Sequence, residues 1–121
     1  MKSVATATIV ILSADAVLRA SLTALFEARG HHVSTTLEVA TPATLEADCV
    51  VVDLDRPPVA LSCDWLEARY PGVPCVILSG SPWSGPHATA GMTCGYFLHK
   101  PVAALELTAM VEGLLHDQPL G

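Results

Sequence analysis

The chain has 121 residues, of which 51% are hydrophobic and 15% charged, and 6 lysines and arginines against 12 aspartates and glutamates give a net charge of -6. This length predicts one domain over residues 1–121 with a single hydrophobic core. The acidic balance repels phosphate backbones and anionic surfaces, so we expect no direct binding to nucleic acid or membrane. A mean hydropathy of +0.48 excludes disorder, and no apolar stretch approaches the roughly 18 residues of a membrane span.

The first part of the chain predicts two strands around a helix. Residues 8–12 form a continuous apolar, β-branched run, which is typical of a strand covered on both faces. Apolar residues then recur at helical spacing over 16–29, with Asp15 as the N-cap and Gly30 placed to end the helix in a left-handed conformation. A second strand is predicted at 32–36, followed by a short helix over 41–46 that Pro42 opens.

The rest of the chain continues to alternate predicted strands and helices. Strands are predicted at 49–54, 73–79 and 97–98, and helices at 61–70 and 105–116, while Pro82, Gly85 and Pro86 prevent an ordinary helix before about residue 87. Alternating strands and helices predict an α/β fold of the flavodoxin-like (βα)5 type. It is a doubly wound, five-stranded parallel sheet in a three-layer sandwich.

The ends of these strands carry the candidate chemistry. In open α/β sheets a ligand lies outside the carboxyl ends of the strands, near the point where strand order reverses. Ser13, Ala14 and Asp15 follow the first strand, and Asp53, Ser79 and Lys100 end the third, fourth and fifth strands. A carboxylate accepts a phosphoryl group when a lysine and a hydroxyl hold the phosphoryl oxygens and a divalent metal offsets the charge.

Three segments resemble the receiver domains of bacterial two-component response regulators: residues 53–57 (DLDRP), 76–80 (VILSG) and 97–101 (FLHKP). The resemblance implies that Asp53 is the phosphoacceptor, that Lys100 and Ser79 contact the phosphoryl group, and that Ser79 and Phe97 move as a switch. It also implies a cis bond between Lys100 and Pro101, an isomer that proline makes accessible at about 0.5–1 kcal/mol.

One departure from the family concerns the metal. Receiver domains have two acidic residues directly after the first strand, and Ser13 and Ala14 stand at those positions. Magnesium prefers oxygen ligands in octahedral geometry, so a site made from Asp53, Asp55 and Asp15 should be weak or absent. We therefore expect no tightly bound cofactor, although Asp15 or Asp55 would partly compensate if the loop shifted.

The output surface also departs from the family. In receiver domains the fourth helix, fifth strand and fifth helix form the face for dimerisation or partner docking, and Pro82, Gly85 and Pro86 remodel it in this chain. Expected partners are a histidine kinase or another signalling protein, or a second copy through that face. Trp83 and His99 are candidate contact residues there, although a loop tryptophan more often covers its loop and a strand-edge histidine is usually structural.

Three functional hypotheses remain open at this point. The first is an atypical, non-enzymatic receiver domain that acts through protein contacts, with phosphorylation at Asp53 weakened or lost. The second is a receiver that accepts a phosphoryl group from a histidine kinase. The third is a small flavodoxin-like enzyme or ligand-binding domain, which the absence of a glycine-rich phosphate loop over residues 13–16 disfavours.

The cysteines bear on the cellular compartment. No C-x-x-C pair occurs among the four, and the five histidines show no metal-ligand spacing. Free thiols in a reducing cytoplasm are therefore predicted. The four cysteines are Cys49, Cys63, Cys75 and Cys94.

Overall fold

The computed structural model describes residues 7–35, 47–55, 62–80 and 95–116. The strands in these ranges are β1 (Thr8–Leu12), β2 (His32–Thr35), β3 (Cys49–Asp53), β4 (Cys75–Ser79) and β5 (Tyr96–His99). The helices there are α1 (Ala16–Glu27), α2 (Cys63–Arg69) and α3 (Ala104–His116). The predicted helix over 41–46 and the proline-rich stretch with Pro82, Gly85 and Pro86 lie outside the described residues.

All five strands form one parallel sheet in the order β2-β1-β3-β4-β5. Every residue of β3 and β4 is buried, which explains why their sequences are continuous apolar runs rather than alternating patterns. Strand order reverses between β1 and β3, since the chain moves outward in one direction to β2 and in the other to β4 and β5. The predicted flavodoxin-like sheet is confirmed.

Local capping sets where the helices begin and end. The Asp15 carboxylate accepts hydrogen bonds from the backbone N–H groups of Val17 and Leu18, which begins α1 as predicted. Gly30 follows that helix with a φ of 90°, a conformation that glycine adopts without strain. Helix α2 is shorter at its start than predicted, because Ser62 caps it by accepting a hydrogen bond from the Trp65 N–H.

Helices cover the two faces of the sheet. One hydrophobic cluster joins alternate residues of the strands to α1 and α3 and includes Phe26, Leu107 and Val111. The other cluster joins the opposite faces of the strands to α2 through Leu66 and Tyr70. Within the described ranges the molecule is thus the predicted three-layer sandwich, and no helix there is long and apolar enough to cross a membrane.

The prediction of free thiols is wrong at one position. Cys49 and Cys75 are free and buried, and burial raises the pKa of their thiols to about 12 and about 11. Cys63, however, is disulfide-bonded. Linear spacing does not reveal such a bond, because the fold brings the start of α2 beside Gly95 and Tyr96, far along the chain. Cys94 lies outside the described residues.

Candidate functional site

Four polar side chains meet at the carboxyl edge of the sheet, at the point where strand order reverses. Ser13 follows β1, Asp53 ends β3, Asp55 lies two residues later, and Lys100 follows β5. Because parallel strands end at the same edge, residues that are distant in sequence become neighbours there. We call Ser13, Asp53, Asp55 and Lys100 the strand-end network.

Asp53 is the buried centre of this network, with only 1% of its side chain exposed. One carboxylate oxygen, Oδ1, lies 2.7 Å from Lys100 Nζ and accepts a hydrogen bond of 3.1 Å from the Asp55 N–H. The other oxygen, Oδ2, accepts a hydrogen bond of 2.7 Å from the Ser13 hydroxyl. Both carboxylate oxygens of Asp53 are therefore hydrogen-bonded within the protein.

These contacts determine the protonation states. Burial acts to raise the pKa of Asp53, but the hydrogen bonds from Lys100 and Ser13 and the positive charge of Lys100 outweigh it, so the pKa is lowered. Burial likewise acts to lower the pKa of Lys100, and its contacts with Asp53 and Asp55 raise it overall. At neutral pH the centre of the site is an ammonium ion bound to carboxylates.

Lys100 bridges two carboxylates. Its Nζ lies 2.7 Å from Asp53 Oδ1 and 3.0 Å from Asp55 Oδ2. The same Asp55 oxygen accepts a hydrogen bond of 2.8 Å from the backbone N–H of Gly80, the first residue after β4. The sequence does not predict this role of Gly80, because the role depends on the backbone and carries no side-chain signal.

The turn between β1 and α1 holds Ser13 in position. Its hydroxyl accepts a hydrogen bond from the Asp15 N–H at 3.0 Å, and its carbonyl oxygen accepts one from Arg19 Nη1 at 2.8 Å. Ala14 is exposed and carries no polar side chain. The Asp15 carboxylate binds the first turn of α1 instead of joining the strand-end network.

Three further candidates, Ser79, Phe97 and His99, lie within the described residues. Ser79 is buried, and its carbonyl oxygen accepts a hydrogen bond of 2.8 Å from the Lys100 N–H. Phe97 is half-buried against the cluster on the α2 side of the sheet. His99 is exposed, with Nδ1 3.0 Å from the Lys100 carbonyl oxygen. Trp83 lies outside the described residues. The Lys100–Pro101 bond is cis, as the resemblance implied.

A magnesium site requires several oxygen ligands around one open position. The strand-end network offers two carboxylates, and the Lys100 ammonium is bound to both of them. Across the described ranges no group of three or more His, Cys, Asp or Glu side chains is arranged to hold a metal ion. A tightly held magnesium ion does not fit this arrangement.

Comparison with known proteins identifies the fold. No family model matches the chain, and no curated protein matches it. Among solved structures, full-length FixJ from B. japonicum is 26% identical with a TM-score of 0.71, covering 91% of this chain, which spans 58% of the length of FixJ. A response regulator receiver domain protein from Clostridium thermocellum is 21% identical with a TM-score of 0.73, covering 91% of this chain and 94% of its own.

A third similar structure is the receiver domain of a sensor histidine kinase from Pseudomonas aeruginosa. It is 15% identical with a TM-score of 0.73, covering 93% of this chain and 99% of its own, and it contains a magnesium ion coordinated in its active site cleft. These matches confirm the resemblance to receiver domains, and the chain has their fold.

Proposed function

We propose that this chain is a receiver-type signal-transduction domain of a bacterial two-component or phosphorelay pathway. In this proposal it is not an enzyme but acts by protein–protein contact, and magnesium-dependent phosphorylation of Asp53 is weakened or lost. The observation that carries the proposal is the ammonium of Lys100, bound to the carboxylates of both Asp53 and Asp55.

Charge is the first physical reason for weakened phosphorylation. A carboxylate that attacks a phosphoryl donor repels it, and a divalent cation between the two offsets that repulsion. Lys100 supplies a single positive charge, which it shares between Asp53 and Asp55. The three groups together carry a net charge of about -1, so the approach of an anionic donor remains unfavourable.

The second reason is the state of the nucleophile. Asp53 accepts hydrogen bonds on both carboxylate oxygens, from Lys100 and the Asp55 N–H on one side and from the Ser13 hydroxyl on the other. These hydrogen bonds stabilise the Asp53 carboxylate and lower its nucleophilicity, and bonds to a charged group are the stronger ones. Attack by Asp53 therefore starts from a stabilised ground state.

The expected partners are a histidine kinase, another signalling protein or a second copy of this chain. Tyr96 on β5 and Leu105 on α3 are large apolar side chains with 50% and 78% of their surface exposed. They support a contact face that includes these two elements, and the exposed His99 lies on β5 as well. Trp83 remains a candidate on sequence grounds.

A cytoplasmic location is part of the proposal. The buried, protonated thiols of Cys49 and Cys75 suit a reducing compartment, whereas the disulfide at Cys63 does not. Mass spectrometry after alkylation of rapidly quenched cells distinguishes a reducing from an oxidising compartment. A cytoplasmic protein should contain reduced Cys63.

The competing function is a receiver that is fully competent in phosphorylation. The contact between Asp53 and Lys100 favours it, because a lysine at that position also holds a phosphoryl oxygen. The two functions differ in one property, the magnesium-dependent reaction of Asp53 with a phosphodonor.

Incubation with acetyl phosphate and magnesium, followed by intact mass spectrometry, separates these functions. Transfer forms a bond between an Asp53 oxygen and phosphorus and releases acetate. We expect little or no phosphorylated wild-type protein, and a gain in the variant that carries Ser13→Asp and Ala14→Asp. Adding Asp53→Asn to that variant is the control and should abolish the gain.

Efficient magnesium-dependent phosphorylation of the wild-type chain at Asp53 would contradict the proposal. Failure of the folded Ser13→Asp, Ala14→Asp variant to react would also count against it, because the site would then lack receiver chemistry beyond the missing acids.

A further inference from the structure

Asp55 is bound by donors that are suited to an oxyanion. A backbone N–H and an ammonium that converge on one position form a typical anion-binding arrangement. The Gly80 N–H and Lys100 Nζ converge in this way, and the Asp55 Oδ2 atom lies 2.8 Å from the first and 3.0 Å from the second. Both donors therefore already hold an anion, which belongs to the chain itself.

We infer that the Asp55 carboxylate fills the oxyanion position beside Asp53 and competes with any phosphoryl group for the Gly80 N–H and Lys100. The inference rests on the proposed function only in naming a phosphoryl group as the displaced anion. The occupancy itself depends on neither magnesium, a kinase nor a reaction at Asp53.

The fit between Asp55 and Gly80 is close. A Cβ atom added at Gly80 would lie 3.1 Å from Asp55 Oδ2 and 3.7 Å from Lys100 Cβ, so a side chain there would crowd the carboxylate. The lack of a side chain at Gly80 lets Asp55 approach the backbone N–H directly. The contact also ties the end of β3 to the end of β4.

The three charged side chains differ in exposure to solvent. Asp53 has 1% of its side chain exposed, Lys100 25% and Asp55 36%, so Asp55 is the outermost of the three. An anion that takes its place would meet the same two donors.

Inorganic sulfate is the probe for this position, because it is a tetrahedral oxyanion that undergoes no transfer reaction. Asp53→Asn serves as the background, since it removes the neighbouring charge that would repel sulfate. In this background Asp55 is then replaced by alanine, and the single and double variants are titrated while amide shifts are recorded. Chloride at matched ionic strength controls for screening.

We expect saturable sulfate shifts at Gly80 and Lys100 in the Asp53→Asn, Asp55→Ala variant. Its affinity should exceed that of Asp53→Asn alone by about tenfold, the ratio that corresponds to one charge-assisted hydrogen bond. Replacing Asp55 by asparagine in the same background is the matched control. Its amide oxygen still accepts from Gly80 while its charge is removed, so this variant isolates the effect of charge, and sulfate affinity should rise less than in the alanine variant.

Equal sulfate affinity with and without Asp55 would overturn the inference, and so would a lack of binding in both variants. A measurement on the wild-type chain covers the case in which the double variant does not fold. A scalar coupling across the hydrogen bond between the Gly80 amide nitrogen and the Asp55 carboxyl carbon should be detectable, and its absence would also overturn the inference.

None of these results decides whether the wild-type chain is phosphorylated. If Asp55 fills the oxyanion position and acetyl phosphate still modifies Asp53, the proposed function fails and this inference stands. If the sulfate titration fails while Asp53 remains unreactive, the proposed function stands and this inference fails.

Discussion

Two regions of the molecule hold a carboxylate against a cation, and they differ in depth. In the strand-end network, Asp53 lies 2.7 Å from Lys100 with 1% of its side chain exposed. At the other region, which we call the helix-end network, Glu112 on α3 binds Arg29 and His31 beyond the end of α1. Glu112 is 24% exposed and Arg29 45%.

From hydrogen-bond geometry alone, the helix-end network would be expected to stabilise the fold more than the strand-end network. Arg29 donates two hydrogen bonds to Glu112, of 2.6 Å and 2.7 Å, and His31 Nε2 lies 3.0 Å from the same carboxylate. The hydrogen bond from Arg29 contributes most to lowering the pKa of Glu112 to about 2. His31 is buried, and its Nδ1 has no hydrogen-bond partner in the described part of the chain.

Burial, rather than contact length, determines how much free energy each network contributes to stability. An exposed ion pair regains hydration when it breaks, so its loss costs little. The buried Asp53 carboxylate cannot regain hydration in this way, because removing its cation leaves an unpaired charge away from water. The strand-end network is therefore where substitutions should affect both stability and function.

Lys100→Met should have the largest effect. It leaves the buried Asp53 carboxylate without its cation, and we expect a loss of about 3 kcal/mol in the free energy of unfolding at neutral pH. Urea denaturation measures this loss. Combining Lys100→Met with Asp53→Asn should recover most of it, since the double variant buries no unpaired charge. A loss below about 1 kcal/mol for Lys100→Met would show that the pair is not buried in solution.

Ser13→Ala should cost less, about 1–2 kcal/mol, because it removes the hydroxyl that donates to the buried Asp53 carboxylate and accepts from the Asp15 N–H, while Asp53 keeps its cation. The same denaturation experiment measures it. Ala14→Ser is the matched control, as residue 14 is exposed and the change should stay within about 0.5 kcal/mol. Equal effects of the two substitutions would contradict a hydrogen bond from Ser13 to Asp53.

Acid should weaken the helix-end network over a defined range. The pKa of Glu112 is 4.5 ordinarily and about 2 in the fold, so its stabilising contribution is present above pH 4.5 and is lost as pH falls toward 2. Denaturation at a series of pH values should show a shallower loss in Glu112→Gln than in wild type across that range. Parallel curves would mean that Glu112 titrates normally.

Arg29→Gln should have the smallest effect on the free energy of unfolding at neutral pH, because the guanidinium is nearly half exposed and solvent screens the pair. Thermal unfolding in low and high salt checks this, and the small difference from wild type should shrink as salt screens the pair. An effect as large as that of Lys100→Met would reverse the ranking of the two regions.

The sequence was sufficient to predict the fold and most of the strand-end network. Continuous apolar runs predicted buried parallel strands, and β1 matches residues 8–12. The ends of those strands then predicted that Asp53, Ser79 and Lys100 share one edge of the sheet. Asp15 and Gly30 indicated the boundaries of α1. Asp15 caps the first turn by accepting hydrogen bonds, and Gly30 adopts the positive φ that follows the helix.

The sequence does not predict the contacts of side chains that can bind several alternative partners. The sequence predicts Asp55 as a weak metal ligand, whereas its carboxylate accepts hydrogen bonds from Lys100 and the Gly80 N–H. The sequence does not predict the helix-end network, because Arg29 and Glu112 are far apart in sequence and no motif links the residues after α1 to those of α3. The disulfide at Cys63 also depends on tertiary proximity that no spacing encodes.

In the proposed function, the ammonium of Lys100, rather than a metal ion, balances the charge of Asp53. A titration of the labelled wild-type chain with magnesium, followed by beryllofluoride as a mimic of an aspartyl phosphate, tests it most directly. We predict no saturable change at the amides of Asp53, Asp55, Gly80 and Lys100 up to millimolar magnesium. Saturable shifts at those amides that spread to β5 and α3 would contradict the claim and establish a metal-dependent phosphoryl switch.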